Sequence, residues 1–167
     1  EGEEPGLIET SFFDPANFSF PAGSHIAEVE IDPETGKTDI VRYTAVQDVG
    51  TVIYPAYCKG NIQGGVVQGI GWGLNEEYFM KDDGTQANTS YLDYRMPTAL
   101  DLPNIDVIMV EKPNPGHPFG VRGVGEVPIC PPIAAIGDAL HDAVGKRFYD
   151  APMKPGRILN LLGKISD

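Results

Sequence analysis

The stretch PFGVRGVGEVP, residues 118–128, places a single glutamate, Glu126, directly after a cluster of glycines. Gly120, Gly123 and Gly125 precede it, and prolines bound the stretch on both sides. Glycine serves where the backbone takes a positive φ or where another group approaches it closely, and it weakens helices and strands. The stretch therefore predicts a tight loop with exposed backbone N–H groups, which can cradle an anion or an oxo group.

Two roles are open to Glu126. As a general base, it would project from the loop among apolar neighbours such as Val124 and Val127, where poor solvation disfavours the charged carboxylate. As a helix cap, it would accept hydrogen bonds from the first free N–H groups of the helix that follows. Three prolines between positions 128 and 132 separate it from the helix body. This favours the first role, because a cap normally stands directly before the first turn.

The segments around the loop have regular patterns. Asn104–Glu111 (NIDVIMVE) predicts a strand before the loop. After the loop, apolar residues recur at intervals of 3, 4 and 4 up to Gly145, which predicts an amphipathic helix. These residues are Ile133, Ile136, Leu140 and Val144. A short strand or extended segment is predicted over Thr89–Pro97, and a short terminal helix over Arg157–Ile165.

A glycine-rich helix is predicted between Pro55 and Met80, with a length of roughly 40 Å. Its apolar stripe consists of Ile62, Val66, Ile70 and Leu74. Its second face, almost without side chains, consists of Gly60, Gly64, Gly65, Gly69 and Gly73. Each glycine costs a helix up to about 1 kcal/mol relative to alanine, so we expect close approach by another backbone or by a flat ligand. Gln63 and Gln68 lie beside this face, either as hydrogen-bond donors to a ligand or as solvated helix positions.

Two alternating segments upstream predict a β-hairpin. His25–Asp32 alternates apolar and polar residues, and Asp39–Val49 is rich in β-branched and aromatic residues. The sequence between them, from Asp32 to Gly36, has turn composition. Asp48, near the end of the second strand, is open to two roles. It can shape the turn that follows, or it can bind a group at the end of the strand.

Together these elements predict an α+β fold in two layers, in which a mostly antiparallel sheet packs against two main helices. Residues 25–167 form this body. Residues 1–24 precede it as an extended arm with four phenylalanines and no period. We expect the phenylalanine rings to pack on the body, and an exposed strip for a partner is the alternative.

The composition, 41% hydrophobic and 22% charged over 167 residues, is that of a folded domain. The net charge of −12 argues against nucleic acids and anionic membranes as partners, since both bind basic surfaces. No apolar run reaches membrane-spanning length and no signal peptide pattern is present, which predicts a cytoplasmic protein. Cys58, Cys130 and the scattered histidines form no zinc-type cluster, so a metal held by protein side chains is not expected.

Four stretches, taken in order, resemble the molybdenum-binding large subunit of the xanthine dehydrogenase, aldehyde oxidase and aerobic carbon monoxide dehydrogenase family. They are the hairpin FPAGSHIAEVEIDPETGKTDIVRYTAVQDVGTVIYP, the helix GNIQGGVVQGIGWGLNEE, the segment YLDYRMPTALDLPNIDV and the loop GVRGVGEVP. The resemblance covers nearly all of the chain and implies the C-terminal molybdopterin-binding domain of a subunit several times longer. Two positions depart from the family pattern, because Gln47-Asp48 and Tyr54-Pro55 stand where many members have Asp-Asp and Asn-Pro.

The resemblance implies a catalytic role for Glu126, as the general base beside the molybdenum in this family of oxidoreductases. The implied reaction is the oxidative hydroxylation of an aldehyde, an N-heterocycle or a related small molecule, with water as the oxygen source. The implied cofactor contacts are Arg122, Gly123, Val124, Gly125 and Gln63. The metal itself is held by molybdopterin, in its cytosine dinucleotide form, and not by side chains.

The implied partners are the remainder of the molybdenum-binding subunit and the iron–sulfur and FAD domains or subunits that receive the electrons. The isolated chain is expected to be inactive, because it holds too few groups to retain a large cofactor.

Two functions compete with this hypothesis. A non-catalytic scaffold module that keeps the fold is the main alternative, and it attributes the glycine face and the aromatic arm to protein contacts. The molybdenum and pterin content of the assembled complex separates the two. A nucleotide-binding role fits less well, because GVRGVGE lacks the Lys-Ser/Thr of a P-loop and the later acid of a dinucleotide-binding turn.

Overall fold

A three-stranded sheet forms one layer of the computed structural model, which describes residues 6–15 and 17–165. Its strands are β1 (Gly23–Ile31), β2 (Thr38–Asp48) and β3 (Ile105–Val110), in the order β1-β2-β3. β1 and β2 pair antiparallel, as the predicted hairpin, with a register shift between Glu28 and Val29. β2 is the central strand, and its inward side chains, among them Tyr43 and Ala45, are fully buried.

The second pairing differs from the expectation of a mostly antiparallel sheet, because β3 runs parallel to β2. The reason is the connection between them. Helix α1 (Pro55–Leu74) lies between β2 and β3 in sequence, and a helical crossover returns the chain to the starting end of the sheet. The α+β prediction is otherwise confirmed, since α1 and α2 (Pro131–Val144) pack on each other and on the sheet.

Helix α1 is shorter than predicted, because it ends at Leu74 and not at Met80. The backbone N–H groups of Asn75 and Glu76 both donate to the carbonyl of Gly71, which closes the helix. Its apolar stripe is confirmed, since Ile62, Val66 and Ile70 are at most 1% exposed. A 20-residue helix spans about 30 Å.

The helix predicted to end at Gly145 does so, and Gly145 takes the left-handed conformation typical of such ends. The terminal helix α3 covers Pro155–Leu161, a little before its predicted position. Thr89–Pro97 contains turns and no strand. There the Ser90 carbonyl accepts hydrogen bonds from the N–H groups of Asp93 and Tyr94, and such local bonds compete with strand pairing.

The aromatic arm does not bury its rings, and the expectation that they pack on the body is wrong for this chain. Phe12, Phe18 and Phe20 are at least 80% exposed. Phe13 makes an edge contact with His117 at 5.9 Å between ring centres. The division into an arm over 1–24 and a body over 25–167 stays a prediction. No helix in residues 6–15 and 17–165 is long and apolar enough to cross a membrane.

Candidate functional site

The loop that carries Glu126 is fastened to the end of β2 by backbone hydrogen bonds. The N–H of Thr51 donates to the carbonyl of Gly120 at 2.9 Å, and the N–H of Arg122 donates to the carbonyl of Val49 at 3.0 Å. These two bonds make a short antiparallel bridge. The exit of β2 therefore sets the position of the start of the loop.

Two glycines make this bridge sterically feasible. Gly50 lies opposite Val121, with a φ of 67°, and a Cβ on Gly50 would lie 2.3 Å from the carbonyl oxygen of Gly120. Gly120 also has a positive φ, of 69°. Positive φ and close approach, the two conditions predicted for the loop glycines, are both met at Gly120, where a Cβ would lie 2.7 Å from Thr51 Oγ1.

The side chain of Arg122 is largely buried in an ion pair with Asp48. Its Nε lies 3.1 Å from Asp48 Oδ2, and the two side chains are only 15% and 17% exposed. Its Nη1 donates to Ser19 Oγ at 2.8 Å and, at 3.4 Å, to the carbonyl of Phe20. Arg122 therefore joins the aromatic arm, the end of β2 and the loop.

Asp48 fills the turn role predicted for it, and it also pairs with Arg122. Its Oδ1 accepts a hydrogen bond from the N–H of Gly50 at 3.0 Å, which shapes the turn after β2, while its Oδ2 faces Arg122. Sequence analysis did not pair these two residues, because nothing in a local pattern links positions so far apart. The sequence did contain a signal for this pair. Asp48 lies near the end of a strand and Arg122 is a lone arginine among glycines, and charged groups that are buried require partners.

The centre of the loop is open. Gly123 and Gly125 have no atom within 4 Å of where a Cβ would lie, and neither has a positive φ. Both are exposed, whereas the side chain of Val124 between them packs against the core. Neither the backbone conformation nor the packing of the described residues requires glycine at 123 or 125. The site fits a group that approaches the loop from outside this chain.

Glu126 stands at the end of the open segment with an exposed side chain. It precedes a single 3-10 turn, Val127–Ile129, but its carboxylate makes no capping hydrogen bond, so the capping hypothesis is wrong. Its carboxylate makes no hydrogen bond or ion pair with residues 6–15 and 17–165. The apolar surroundings expected for it are not supplied by this chain, in which it faces outward.

The residues after Glu126 are clamped against the glycine face of α1. A Cβ on Gly65 would lie 2.9 Å from Pro128 Cβ, and a Cβ on Gly69 would lie 2.6 Å from the carbonyl oxygen of Ile129. The close approach predicted for this helix is therefore confirmed at Gly65 and Gly69. At Gly60 and Gly64 no atom lies within 4 Å, so the face that these two share is open.

Gln63 has a structural contact that neither of its two predicted roles included. Its Nε2 donates to the carbonyl of Ile105 at 3.1 Å, which ties α1 to β3. Gln68 is exposed. A contact of Gln63 with a cofactor stays a prediction, and the observed bond uses one N–H of its side-chain amide.

Two surface depressions flank Arg122. A groove of about 530 Å³ separates the arm from the loop and is lined by Phe18 and Ser19 on one side and by Arg122 and Gly123 on the other. A hollow of about 220 Å³ lies between the loop and the start of α1. Tyr54 and Tyr57, which stack at 6.1 Å between ring centres, line this hollow.

Other perturbed groups lie outside the loop. His25 on β1 hydrogen-bonds through Nδ1 to the hydroxyl of Tyr43 at 2.9 Å, and burial lowers the pKa of His25 to about 4. Burial also raises the pKa of Tyr43. Desolvation, with a smaller contribution from the charge of Glu111, raises the pKa of the Cys58 thiol. Within the described ranges, no three His, Cys, Asp or Glu side chains group as metal ligands.

A model of the molybdopterin cofactor-binding domain family matches residues 1–103. The chain belongs to this family. The match confirms the resemblance found in the sequence, and it covers the hairpin and the glycine-rich helix of this molybdopterin-binding chain. The Glu126 loop lies beyond the matched residues.

The loop is included in the similarity of the molybdopterin-binding chain to known proteins. It is 35% identical over 96% of its length to the 6-hydroxypseudooxynicotine dehydrogenase complex subunit gamma of Paenarthrobacter nicotinovorans. It is 34% identical over 94% of its length to the carbon monoxide dehydrogenase large chain of Hydrogenophaga pseudoflava. The crystal structure of quinoline 2-oxidoreductase from Pseudomonas putida 86 superposes on 91% of it, with a TM-score of 0.86 and 35% identity.

The molybdopterin-binding chain spans about one fifth of the length of these proteins, since the matched region is 20% of each. The similarity therefore concerns one part of a larger molecule. One of these relatives is named as a subunit of a complex and another as a large chain.

Proposed function

We propose that this chain forms part of the active centre of a molybdenum hydroxylase and supplies its general base, Glu126. The observation that carries the proposal is the state of this carboxylate. It is exposed and unpaired with the described residues, although the loop is fastened before it at Arg122 and after it at Pro128. A carboxylate that the fold holds in place, and that makes no bond within this chain, is free to accept a proton from a bound reactant.

The open loop segment suits close contact with a flat cofactor. Gly123 and Gly125 present backbone with nothing within 4 Å of a Cβ position, so a group from outside can lie against the N–H and carbonyl groups there. When bound, the molybdenum–molybdopterin group would supply the site of oxygen activation and accept two electrons. We further propose the cytosine dinucleotide form of molybdopterin.

Glu126 would hold and then move a proton. In oxidative hydroxylation, one oxygen atom from water enters the substrate, while two protons and two electrons leave. A carboxylate at Glu126 can accept one of these protons at a side-chain oxygen, which is the task of a general base. Surrounding parts of the subunit would have to exclude water from this carboxylate, because in this chain it faces outward.

The substrate we propose is an aldehyde, an N-heterocycle or a related small molecule. The names of the relatives support this class, since one acts on quinoline and another on 6-hydroxypseudooxynicotine. The proposed partners are the remainder of the molybdenum-binding subunit and iron–sulfur and FAD domains or subunits. The isolated chain is expected to lack activity.

The test is Glu126→Gln in the complete enzyme. Glutamine keeps the size of the side chain but cannot act as the base, so turnover per bound molybdenum should fall by about 10²–10⁴-fold, with molybdenum and pterin content unchanged. Glu34→Gln is the matched control, because Glu34 is an exposed glutamate in the hairpin turn, at the far end of β2 from the loop. Near-normal turnover of Glu126→Gln would refute the assignment.

A further inference from the structure

We propose that Arg122 is a positioning residue, which holds the Glu126 loop in place through its charge pair with Asp48, and not a ligand of the cofactor. The inference rests on the proposed function, because it concerns how the base of that function is held. It replaces the role in cofactor binding predicted for Arg122 from the sequence.

The first argument is that two of the three guanidinium nitrogens are already engaged. Its Nε is at ion-pair distance from Asp48, and its Nη1 donates to Ser19 and to the carbonyl of Phe20. The Nε–H has no aligned hydrogen-bond acceptor, so the attraction to Asp48 is mainly that of opposite charges. With 15% of the side chain exposed, little of Arg122 is left to face a cofactor.

The second argument is that the pair is well shielded from water. Exposed ion pairs are screened and contribute little, whereas removing one partner of a buried pair leaves an uncompensated charge. Asp48 and Arg122 are the least exposed of the ion pairs formed by the described residues. By contrast, Arg42 on the same strand pairs with Glu28 and Asp106 while 62% exposed.

The third argument is that Arg122 fixes the chain a few residues before Glu126. Asp48 holds the N–H of Gly50 and the side chain of Arg122 at once, while the N–H of Arg122 bonds back to Val49. Between Arg122 and Glu126, Gly123 and Gly125 contribute no side-chain packing, and Val124 contributes only a partly buried contact with the core. Arg122 is therefore the last residue before Glu126 that is held by hydrogen bonds and an ion pair, and its loss would leave only the packing of Val124 to hold this end of the segment that carries the base.

The experiment is a double-mutant cycle in the assembled, cofactor-loaded enzyme, with Arg122→Met, Asp48→Asn and the two combined. Misplacing a catalytic group by about 1 Å can cost about 100-fold. We expect Arg122→Met to lower kcat per molybdenum by about 10- to 100-fold, with KM changed by less than about threefold. The combined variant should be no worse than Arg122→Met alone, because both substitutions break the same pair.

Two further variants separate charge pairing from general damage. Arg122→Lys keeps a positive charge toward Asp48 and should retain kcat within about threefold of the wild type. Arg42→Met removes an exposed arginine from β2, the strand that ends at Asp48, and should leave kcat unchanged. If Arg122→Met does not assemble, Arg122→Lys with and without Asp48→Asn decides the question, since Lys should lose its advantage once Asp48 is neutral.

A readout independent of activity is hydrogen exchange at the N–H groups of Thr51 and Arg122, which cross the bridge. They should exchange at least about tenfold faster in Arg122→Met than in the wild type or in Arg42→Met. Exchange at the wild-type rate, or effects of the two single substitutions that multiply, would overturn the proposal. Loss of molybdenum from Arg122→Met without faster hydrogen exchange would also overturn it, because that result is expected if Arg122 binds the cofactor.

The failure of this inference is distinguishable from that of the proposed function. If Glu126→Gln is inactive but Arg122→Met keeps wild-type kcat per molybdenum, the base assignment stands and the positioning role is wrong. If Glu126→Gln keeps its turnover, the proposed function is wrong, and faster exchange in Arg122→Met still supports the fastening of the loop.

Discussion

Gly69 and Ile129 bring the backbone of α1 against the backbone that follows the Glu126 loop, since a Cβ on Gly69 would lie 2.6 Å from the carbonyl oxygen of Ile129. Ile129 is three residues after Glu126, and its N–H donates to the Glu126 carbonyl at 3.0 Å. The glycine face of α1 therefore sets the depth at which this end of the loop lies.

Gly69→Ala should destabilise the subunit and shift the Glu126 loop. The added methyl would collide with Ile129 and Pro132, and such overpacking costs about 1–3 kcal/mol, which exceeds the gain of up to about 1 kcal/mol in helix propensity. Thermal unfolding of the complete subunit and its turnover check this.

Gly137→Ala in α2 is the matched control, because there a Cβ would lie 3.7 Å from the sulfur of Met153, an ordinary contact. We expect it to be neutral or stabilising by up to about 1 kcal/mol. Equal stability of both alanine variants would contradict the close packing of α1 on this segment.

Gly125→Ala should leave the fold of this region intact and lower cofactor occupancy or turnover. In the chain itself a Cβ at 125 meets nothing within 4 Å, and φ is not positive, so the described packing assigns no cost to the methyl group. A cofactor lying against this backbone would collide with it. The measurements are molybdenum and pterin content, turnover, and hydrogen exchange of the cofactor-free subunit.

Full cofactor content together with wild-type turnover in Gly125→Ala would show that the open segment has no tight partner. Faster hydrogen exchange in the cofactor-free Gly125→Ala subunit would instead show that Gly125 is needed for the fold.

Gln63→Leu should lower stability without releasing the cofactor. It removes the hydrogen bond from Nε2 to the carbonyl of Ile105, and the loss of such a bond costs about 0.5–1.5 kcal/mol. Gln68→Leu is the control on an exposed position of the same helix. The two are compared by thermal unfolding and by molybdenum content. A specific loss of molybdenum in Gln63→Leu, with unchanged stability, would favour the cofactor contact predicted from the sequence.

His25 gives the structure a stability that depends on pH. Its pKa is about 4 in the folded chain and 6.5 as the ordinary value, so between these values the unfolded state binds more protons than the folded state. Stability should therefore fall as the pH is lowered from about 6.5 to about 4, and change little through this group outside that window.

The size of this effect should be about 1–2 kcal/mol, because the ring is only partly buried and solvent reduces the full difference. The pKa itself can be measured in the complete subunit from hydrogen exchange at the imidazole C2 position. His25→Asn should flatten the dependence of the unfolding midpoint on pH over this window. A titration of His25 near 6.5 would contradict its burial against Tyr43.

Local patterns were sufficient for much of the fold. The hairpin was predictable because its alternation and its Asp32–Gly36 turn are encoded within neighbouring residues. The apolar stripe of α1 and the end of α2 at Gly145 were predictable for the same reason. The end of α1 was not predictable from its pattern. It is set by hydrogen bonds from the N–H groups of Asn75 and Glu76 to the carbonyl of Gly71, and the order of apolar and polar residues does not mark this point.

The candidate site was predicted in its residues but not in its contacts. Glu126 and its glycines stand out in the sequence, and the glycines of α1 predict a close neighbour without identifying it as Pro128 and Ile129. The pair of Asp48 and Arg122 depends on a bridge between segments distant in sequence. The spacing of residues along the sequence cannot predict such a contact. Nor does any pattern fix the exposure of Glu126, which depends on what surrounds it in three dimensions.

The most direct test of the central claim is the rate at which substrate reduces the molybdenum centre in a single turnover of the complete Glu126→Gln enzyme, measured by rapid mixing. With molybdenum and pterin content equal to the wild type, the account predicts reduction slower by about 10²–10⁴-fold. Reduction at the wild-type rate would contradict it.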